Sequence, residues 1–407
     1  MSVKIRDNCR LCFSPDLKKI LELAPTPLAN EYVSANALNQ VQDEFPLYLS
    51  RCGACGHVQL PVVVDPKRLF ANYVYVSGTS ASFVDHFKRY AEQVIQKYGL
   101  KPGDLVVEIG SNDGTLLSFF KKAGMRVLGV DPAQEISKAA SASGIETLCE
   151  FFNQQVADLI KSEHGVANLI LANNVFAHAD NLHEIARATK SLLDPTAGHF
   201  VFEVQYLMDL VEDTLFDMVY HEHLSYHSLE PLVSFFSGMG MTVIDVERVN
   251  THGGSIRVGV SVSPSQEAVK NSLRELIKLE RECLTQKAFD DLSIRVDEAA
   301  AVLKDLLKTT SGKIIGYGAP AKLTTLMYQF KLQAADFAYI VDDSPWKQGL
   351  FTPGMHIPVV SSSQLQEHSD RPTRIVIFAW NFADSIVAKF PEYAGKFIIP
   401  LPILKEA

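Results

Sequence analysis

The sequence predicts an α/β protein, and three features of its 407 residues carry this prediction. From residue 101 onward, short apolar strands alternate with helix-like segments, as in a parallel, doubly wound sheet. A second strand–turn–helix unit at residues 313–322 predicts a further Rossmann-like domain toward the C-terminus. Two Cys-x2-Cys pairs near the N-terminus predict a separate metal-binding module.

The individual elements follow from hydrophobic periodicity taken in chain order. An amphipathic helix over residues 82–99 precedes the central sheet, whose strands are predicted at residues 105–109, 126–130, 146–149, 169–171 and 199–204. Segments 241–246 and 255–262 are predicted to form an antiparallel hairpin at the sheet edge. Long charged helices are predicted over residues 265–310, before C-terminal strands near residues 337–341, 374–378 and 397–399. We therefore expect three domains, at residues 1–70, 71–264 with a lid over 71–100, and 265–407.

The composition restricts the class of protein. With 38 basic and 47 acidic residues the formal net charge is −9, and 47% of the residues are hydrophobic. These values exclude a disordered chain and disfavour a nucleic-acid-binding surface. No apolar run approaches the roughly 18 to 20 residues that span a bilayer. The N-terminal residues lack the apolar segment of a signal peptide, so a cytoplasmic location is expected.

Four of the six cysteines form two matched pairs, whereas Cys149 and Cys283 are isolated. In a reducing compartment, two Cys-x2-Cys pairs favour a tetrahedral zinc site over disulfides. Gly56, after the second pair, suits the positive φ of a knuckle turn. The predicted zinc ligands are Cys9, Cys12, Cys52 and Cys55. Because four thiolates leave no ligand position for a substrate, we expect this metal to stabilise the fold.

A turn at residues 108–114 ends the first central strand and opens a helix. Asp131 ends the next strand, where an acid is positioned to bind ribose hydroxyls. Asp113 within the turn disfavours a bare pyrophosphate, whereas a ligand with a sulfonium or ammonium end fits. The predicted cofactor is therefore S-adenosylmethionine. Its expected contacts are Glu108, Gly110, Asn112, Asp113, Asp131, Phe151, Phe152, Asn173 and Asn174.

A second cluster places three histidines, two tyrosines and a glutamate within residues 220–227. Histidine titrates near neutral pH, a carboxylate such as Glu222 can orient an imidazole, and a tyrosine can donate to a developing enolate. This composition favours acid–base catalysis over a metal site, although His223 and His227 are spaced as metal ligands can be. His178 follows the fourth central strand, at the sheet edge where the methyl donor is expected.

Several motifs occur in order along the whole chain. After the four-cysteine module they are Glu-x-Gly-x-Asn-Asp-Gly, Asn-Val-x-Ala-His, Tyr-His-Glu-His-x-Ser-Tyr, His-Gly-Gly-Ser-Ile-Arg and Gly-Tyr-Gly-Ala-Pro-Ala-Lys. Together they resemble the S-adenosylmethionine-dependent C-methyltransferases that act on nucleotide-linked (TDP-type) 4-keto-deoxysugars, the family of the tetronitrose, mycarose and noviose pathway enzymes. The resemblance implies a central class I methyltransferase domain and a C-terminal domain that helps to hold the nucleotide sugar.

The resemblance also implies roles for individual residues. His223 matches the family's base, which removes the proton next to the ketone so that an enolate attacks the methyl group. Tyr220, Glu222 and His178 are implied to line the same pocket, and Tyr75 of the lid to close over the substrate. Lid contacts with the methyl donor are expected from Ser77 and Ser80. Contacts with the nucleotide sugar are expected from His221, Gly318, Ala319, Lys322, Asp343 and Lys347.

Two other functions stay open at this point. The turn from Gly316 to Gly318 could serve NAD(P) in an oxidoreductase of a nucleotide sugar, although Pro320 interrupts the turn. A zinc-ribbon RNA methyltransferase would require a basic face, which the net charge of −9 does not favour. The nucleobase, the sugar, the choice between C3 and C5, the stereochemistry and the oligomeric state are not determined by the residues.

Overall fold

A computed structural model of the chain describes residues 3–70, 78, 81–251, 253–262, 271–366 and 371–407. Within these residues the strands form four sheets, of two, four, six and seven strands. The predicted α/β class is confirmed. None of the described helices has the length and apolarity that a membrane crossing requires.

The N-terminal module is built on an antiparallel sheet. Its elements are β1 (Lys4–Ile5), β2 (Leu17–Thr26), β3 (Phe45–Cys52), β4 (Val58–Gln59), β5 (Val62–Val63) and α1 (Pro66–Phe70). Strands β2, β3 and β4 pair in sequence, while β1 pairs with β5. Along β3, Phe45, Leu47 and Leu49 are buried and Pro46 is exposed, which is the period of two expected when a sheet covers a core with one face.

The central domain is the predicted doubly wound sheet. Its elements are α2 (Ala81–Tyr98), β6 (Leu105–Ile109), α3 (Thr115–Lys122), β7 (Arg126–Val130), α4 (Gln134–Ala142), β8 (Thr147–Leu148), α5 (Gln154–His164), β9 (Leu169–Asn173), α6 (Leu182–Leu192), β10 (His199–Gln205), α7 (Leu207–Glu212), β11 (Ser225–Tyr226), α8 (Leu229–Gly238), β12 (Thr242–Val249) and β13 (Ser255–Ser261). The strand order is β12-β13-β10-β9-β6-β7-β8. Strands β6 to β10 are parallel, and every residue of β6 is buried because helices cover both sheet faces. The predicted antiparallel edge hairpin is confirmed as β12 and β13.

The C-terminal part begins with two helices and continues as a second parallel sheet. Its elements are α9 (Asn271–Cys283), α10 (Gln286–Thr309), β14 (Ile314–Tyr317), α11 (Lys322–Gln329), β15 (Ile340–Val341), β16 (Val359–Val360), α12 (Ser363–Gln366), β17 (Arg374–Ile377), α13 (Ala383–Lys389), β18 (Phe397–Ile399) and β19 (Lys405–Glu406). The strand order β16-β15-β14-β17-β18-β19 is Rossmann-like, with only β19 antiparallel. Helix α10 packs against β2 and α7, which ties this part to both preceding domains.

One strand crosses from the central domain into the N-terminal module. Strand β11 pairs antiparallel with β4, matching Ser225 to Gln59 and Tyr226 to Val58. The module sheet therefore has the order β11-β4-β3-β2. Because β11 belongs to the histidine-rich segment, the module directly positions that segment.

Candidate active site and metal centre

The four predicted zinc ligands come together in the N-terminal module. Their sulfur atoms all lie within 4.8 Å of one another, and the Sγ–Sγ distances Cys9–Cys55 and Cys12–Cys52 are both 3.6 Å. A tetrahedral zinc with bonds of about 2.3 Å needs sulfur separations of about 3.8 Å, so the set fits the metal. Gly56 has a φ of 81°, as the knuckle turn requires. The site is a closed structural zinc site, since the cysteines supply all four ligands.

The turn after β6, at the carboxyl edge of the sheet, contains three residues with positive φ, two of them glycines. Gly110, Asn112 and Gly114 have φ values of 66°, 50° and 75°. A Cβ at Gly110 would lie 2.3 Å from Val175 Cγ2, and one at Gly114 would lie 2.9 Å from Ile145. Side chains are therefore excluded at both glycines by the packing of the turn against Val175 and Ile145.

Asp131 ends β7 and holds the same turn. Its Oδ2 accepts a hydrogen bond from the Asn112 amide and its Oδ1 accepts one from the Ala133 amide, both at 2.9 Å. Burial raises the pKa of Asp131. Each carboxylate oxygen can accept a further hydrogen bond, so Asp131 has the capacity to bind ribose hydroxyls.

Buried acceptors collect at the carboxyl ends of β6, β9 and β10. Glu108 Oε1 accepts from Asn173 Nδ2 at 3.1 Å, but Glu108 Oε2 and Asn173 Oδ1 have no hydrogen-bond partner among the described residues. Burial raises the pKa of Glu108 to about 8. Gln205, the last residue of β10, is 9% exposed, and neither atom of its side-chain amide has a partner in the described chain. Unpartnered buried acceptors fit the cationic end of S-adenosylmethionine.

Gln205 was not predicted from the sequence. The available signal was its position at the end of the strand beside the one that ends in Asn173. Sequence patterns identify such an edge residue only when the strand boundary is known to within one residue.

Other predicted cofactor residues lie around this edge. The amide of Gly78, within the predicted lid segment, donates to Asp113 Oδ2 at 2.8 Å and so joins this residue to the turn. Phe151 is 37% exposed and Phe152 is buried. Asn174 has a φ of 55°, with its amide bonded to the Glu203 carbonyl. Tyr75, Ser77 and Ser80 lie outside the described residues, so their roles stay predictions.

His223 lies at the centre of a group of rings. Its ring centroid is 4.0 Å from that of Tyr220 and 5.1 Å from that of His178, which in turn stacks on Phe70 at 5.6 Å. His223 Nδ1 is 2.8 Å from the carbonyl oxygen of Met218. Because a carbonyl only accepts, Nδ1 carries a proton, and in the neutral ring Nε2 then carries the lone pair. This tautomer can remove a proton from a substrate.

The neighbouring histidines have other surroundings. His221 is buried, its Nε2 donates to the carbonyl of Pro46 in β3, and burial lowers the pKa of His221 to about 4. His227 is completely buried and stacks on Phe176. His221 and His227 therefore pack against the module and the central core, while His223 faces Tyr220.

Glu222 lies where the three domains meet. Its Oε1 accepts from Asn30 Nδ2 of the N-terminal module at 2.7 Å. Burial lowers the pKa of Lys347, from the C-terminal domain, whereas the carboxylates of Asp342 and Glu222 oppose that shift. Tyr32, also from the module, donates its hydroxyl to the Ala319 carbonyl. Neither Asn30 nor Tyr32 was predicted, because nothing local in the sequence connects them to the distant Glu222.

The turn after β14 is closely packed within the protein. A Cβ at Gly318 would lie 2.4 Å from Ala379 Cβ. The Ala319 amide donates to Asp342 Oδ2 at 2.7 Å, and its carbonyl accepts from Lys347 Nζ at 2.7 Å. Both backbone groups of Ala319 are therefore engaged by protein atoms.

The other two predicted substrate residues of this domain also have protein partners. Lys322 is buried, donates to Asn381 Oδ1 at 2.6 Å and lies 3.5 Å from the ring centroid of Trp380. Burial lowers the pKa of Lys322 to about 8, and Asp217 opposes that shift. Asp343 pairs with Lys389 at 2.9 Å.

The fold and the site define a methyltransferase with an added zinc module. Family models match three consecutive regions: a "putative zinc binding domain" at residues 9–70, a "methyltransferase domain" at 83–246 and a "C-methyltransferase C-terminal domain" at 250–402. The chain is 33% identical over 404 residues to the C-methyltransferase NovU of Streptomyces niveus, covering 97% of this chain and 96% of the relative. The chain therefore belongs to the S-adenosylmethionine-dependent C-methyltransferase family.

Two solved structures share a partial likeness at low identity. The magnesium protoporphyrin IX methyltransferase ChlM of Synechocystis, with bound S-adenosylmethionine, is 16% identical over 45% of this chain and 82% of its own, with a TM-score of 0.34. An S-adenosylmethionine-dependent methyltransferase of Clostridium acetobutylicum is 14% identical over 44% of this chain and 92% of its own, with a TM-score of 0.35. The family assignment rests on the sequence relative and the family models.

Proposed function

We propose that this C-methyltransferase methylates the carbon next to the ketone of a nucleotide-linked 4-keto-deoxysugar. The observation that carries the proposal is the hydrogen bond from His223 Nδ1 to the Met218 carbonyl, which makes Nε2 the lone-pair nitrogen of the neutral ring, next to Tyr220 and His178. A ketone acidifies the adjacent C–H bond, so a single imidazole suffices to begin the reaction near neutral pH. The nucleotide sugar itself is proposed from the sequence motifs.

The proposed reaction has two steps. His223 Nε2 takes the proton next to the ketone, and the electron pair of the broken C–H bond moves onto the ketone oxygen. Tyr220, whose ring touches His223, donates a hydrogen bond to the developing enolate oxygen. The enolate carbon then bonds to the methyl carbon while the sulfur–methyl bond breaks. S-adenosylmethionine supplies the electrophilic methyl group, and the His223 proton later leaves to solvent.

The substrate residues divide between two places. His178 and Glu222 are proposed to line the side of the pocket toward the sugar, and Tyr75 is proposed to close over it. Lys322 and Lys347, which are buried and hydrogen-bonded to Asn381 and to the Ala319 carbonyl in the ligand-free protein, are proposed to supply charge for the diphosphate. Gly318, Ala319, Asp343 and His221 are proposed to shape the surrounding wall.

The proposal is tested with labelled S-adenosylmethionine and a panel of TDP- and GDP-linked 4-keto-deoxysugars. We expect label transfer to at least one sugar, on the carbon next to the ketone. With S-adenosylhomocysteine in deuterium oxide, the same sugar should exchange its acidic C–H, since the base acts before the methyl group moves. Label transfer to RNA alone, or oxidation of the sugar with NAD(P), would replace the proposal by one of the other two functions.

A further inference from the structure

Arg10 lies inside the first zinc pair, between Cys9 and Cys12, yet its side chain is fully buried. Its Nη1 donates to the carbonyl oxygens of Leu60, at 2.8 Å, and of Leu224, at 3.0 Å. Its Nε donates to Asp180 Oδ1 at 3.1 Å. A knuckle residue that served only to enclose the zinc ion would not require side-chain hydrogen bonds to the central domain.

The two acceptors of the central domain flank the proposed pocket histidines. Leu224 directly follows His223, and Asp180 is two residues after His178. The Ala177 carbonyl, next to His178, accepts from the amides of Leu224 and Ser225 at 2.9 and 3.0 Å. Both histidine segments therefore form one hydrogen-bonded block, and Arg10 holds that block at two points.

The same block is joined to the module by backbone bonds. The Leu60 amide donates to the Leu224 carbonyl at 3.0 Å, and β11 pairs with β4. The Arg10 amide donates to Gln59 Oε1 at 2.8 Å, which fixes the knuckle to β4. The position of the guanidinium is thus set by the Cys9–Cys12 knuckle on one side and by β4 on the other.

We infer that Arg10 is a positioning residue, through which the zinc knuckle sets the placement of His223 and His178. The inference rests on the proposed function, in which His223 is the base. A structural metal then influences turnover without contacting the substrate. Displacing a catalytic group by about 1 Å can cost on the order of 100-fold in rate, so small changes at Arg10 should be measurable.

Arg10→Lys is the test, because lysine keeps the charge but lacks the planar fork that reaches three acceptors. We expect kcat to fall about 10- to 100-fold, and the deuterium exchange of the sugar to fall in parallel. Zinc content, the Kd for S-adenosylmethionine and the KM for the sugar should stay within about twofold. Arg126→Lys is the matched control, since Arg126 is an exposed arginine that also donates to a carbonyl, that of His164.

Asp180→Ala, which removes the oxygen that accepts from Arg10 and also from Arg6, provides a second variant outside the knuckle if Arg10→Lys loses zinc or fails to fold, and Arg6→Lys separates the effect of Arg6. Asp180→Ala should also lower kcat and exchange with zinc retained. Wild-type kcat and exchange in a folded Arg10→Lys, or in Asp180→Ala, would overturn the inference. That failure differs from failure of the proposed function, in which a His223 variant would keep the exchange reaction.

Discussion

His223 donates its Nδ1 proton to the carbonyl of Met218, and this hydrogen bond selects the neutral tautomer in which Nε2 carries the lone pair. Met218 ends the buried 3-10 helix Phe216–Met218, where Trp380 Nε1 of the C-terminal domain donates to Asp217 Oδ2 at 2.7 Å. Thr325 of α11 donates to the carbonyl of Val219 at 2.7 Å. The C-terminal domain therefore contacts the segment just before His223, which contains the Met218 carbonyl that orients the ring. The N-terminal module contacts the residue just after His223, Leu224.

The first prediction concerns His223→Asn. The asparagine amide can still donate to Met218, as Nδ1 does, but it offers no basic nitrogen at the position of Nε2. We expect a folded protein with unchanged affinity for S-adenosylmethionine and methyl transfer lowered by about 100- to 10,000-fold. Kinetics, calorimetry and deuterium exchange of the sugar measure the three quantities.

A histidine outside the pocket supplies the control. His164, the last residue of α5, is changed to glutamine and should leave kcat and exchange near the wild-type values. If His223→Asn exchanges deuterium at the wild-type rate, another residue is the base, and His178 is the first to test because its ring stacks on that of His223 at 5.1 Å.

Local patterns predicted the framework of the site. The glycine turn, Asp131 and the four cysteines could be predicted because each depends on residues close in sequence or on a regular spacing. The parallel strands could be predicted because burial on both faces leaves continuous apolar runs, as in β6. Strand β2 was missed, since Leu17–Thr26 alternates poorly and contains Pro25.

The different surroundings of the three clustered histidines could not be predicted. His221 is separated by 175 residues from Pro46, which accepts its hydrogen bond, and Glu222 is separated by 192 residues from Asn30. Such contacts depend on how the domains pack, which hydrophobic periodicity does not encode. A role for Arg10 was not predicted for the same reason, because two of the groups that accept its hydrogen bonds, Asp180 and the Leu224 carbonyl, belong to a different domain.

The second prediction is that the protein contains one zinc ion and that Cys52→Ser lowers its stability. Metal binding is coupled to folding, so losing one thiolate should lower zinc content and the melting temperature together. Elemental analysis and thermal unfolding measure the two effects. Cys283→Ser, at an isolated cysteine in α9, should retain full zinc. Protein prepared without chelator that lacks stoichiometric zinc would contradict this prediction.

The third prediction is that Asp131→Ala weakens binding of S-adenosylmethionine about ten- to a hundredfold. The loss corresponds to roughly 1.5 to 3 kcal/mol for hydrogen bonds to a charged group. The variant also leaves the Asn112 amide without its acceptor, so the turn loosens as well. Calorimetry measures the affinity, with Asp158→Ala on α5 as control. An unchanged affinity would mean that the ribose lies elsewhere.

The last prediction concerns the pH dependence at Glu108, whose pKa burial raises from 4.5 to about 8. Between those values the folded, ligand-free protein keeps a proton that the unfolded chain has released, so this carboxyl lowers the free energy of unfolding as the pH rises. A cationic ligand favours the ionised carboxylate. Binding of S-adenosylmethionine below about pH 8 should therefore release a proton, and the affinity should rise with pH by up to about tenfold per unit.

Calorimetry from about pH 6 to pH 8, in buffers of different ionisation enthalpy, measures both the affinity and the released proton. Glu108→Gln keeps a side-chain oxygen that can accept from Asn173 Nδ2 but cannot ionise. The affinity of this variant for S-adenosylmethionine should therefore lose the part of the pH dependence that Glu108 contributes. Comparing the two proteins removes the titration of the ligand itself, because that contribution is common to both. Equal slopes in the wild type and in Glu108→Gln would show that Glu108 does not meet the cationic end of the ligand.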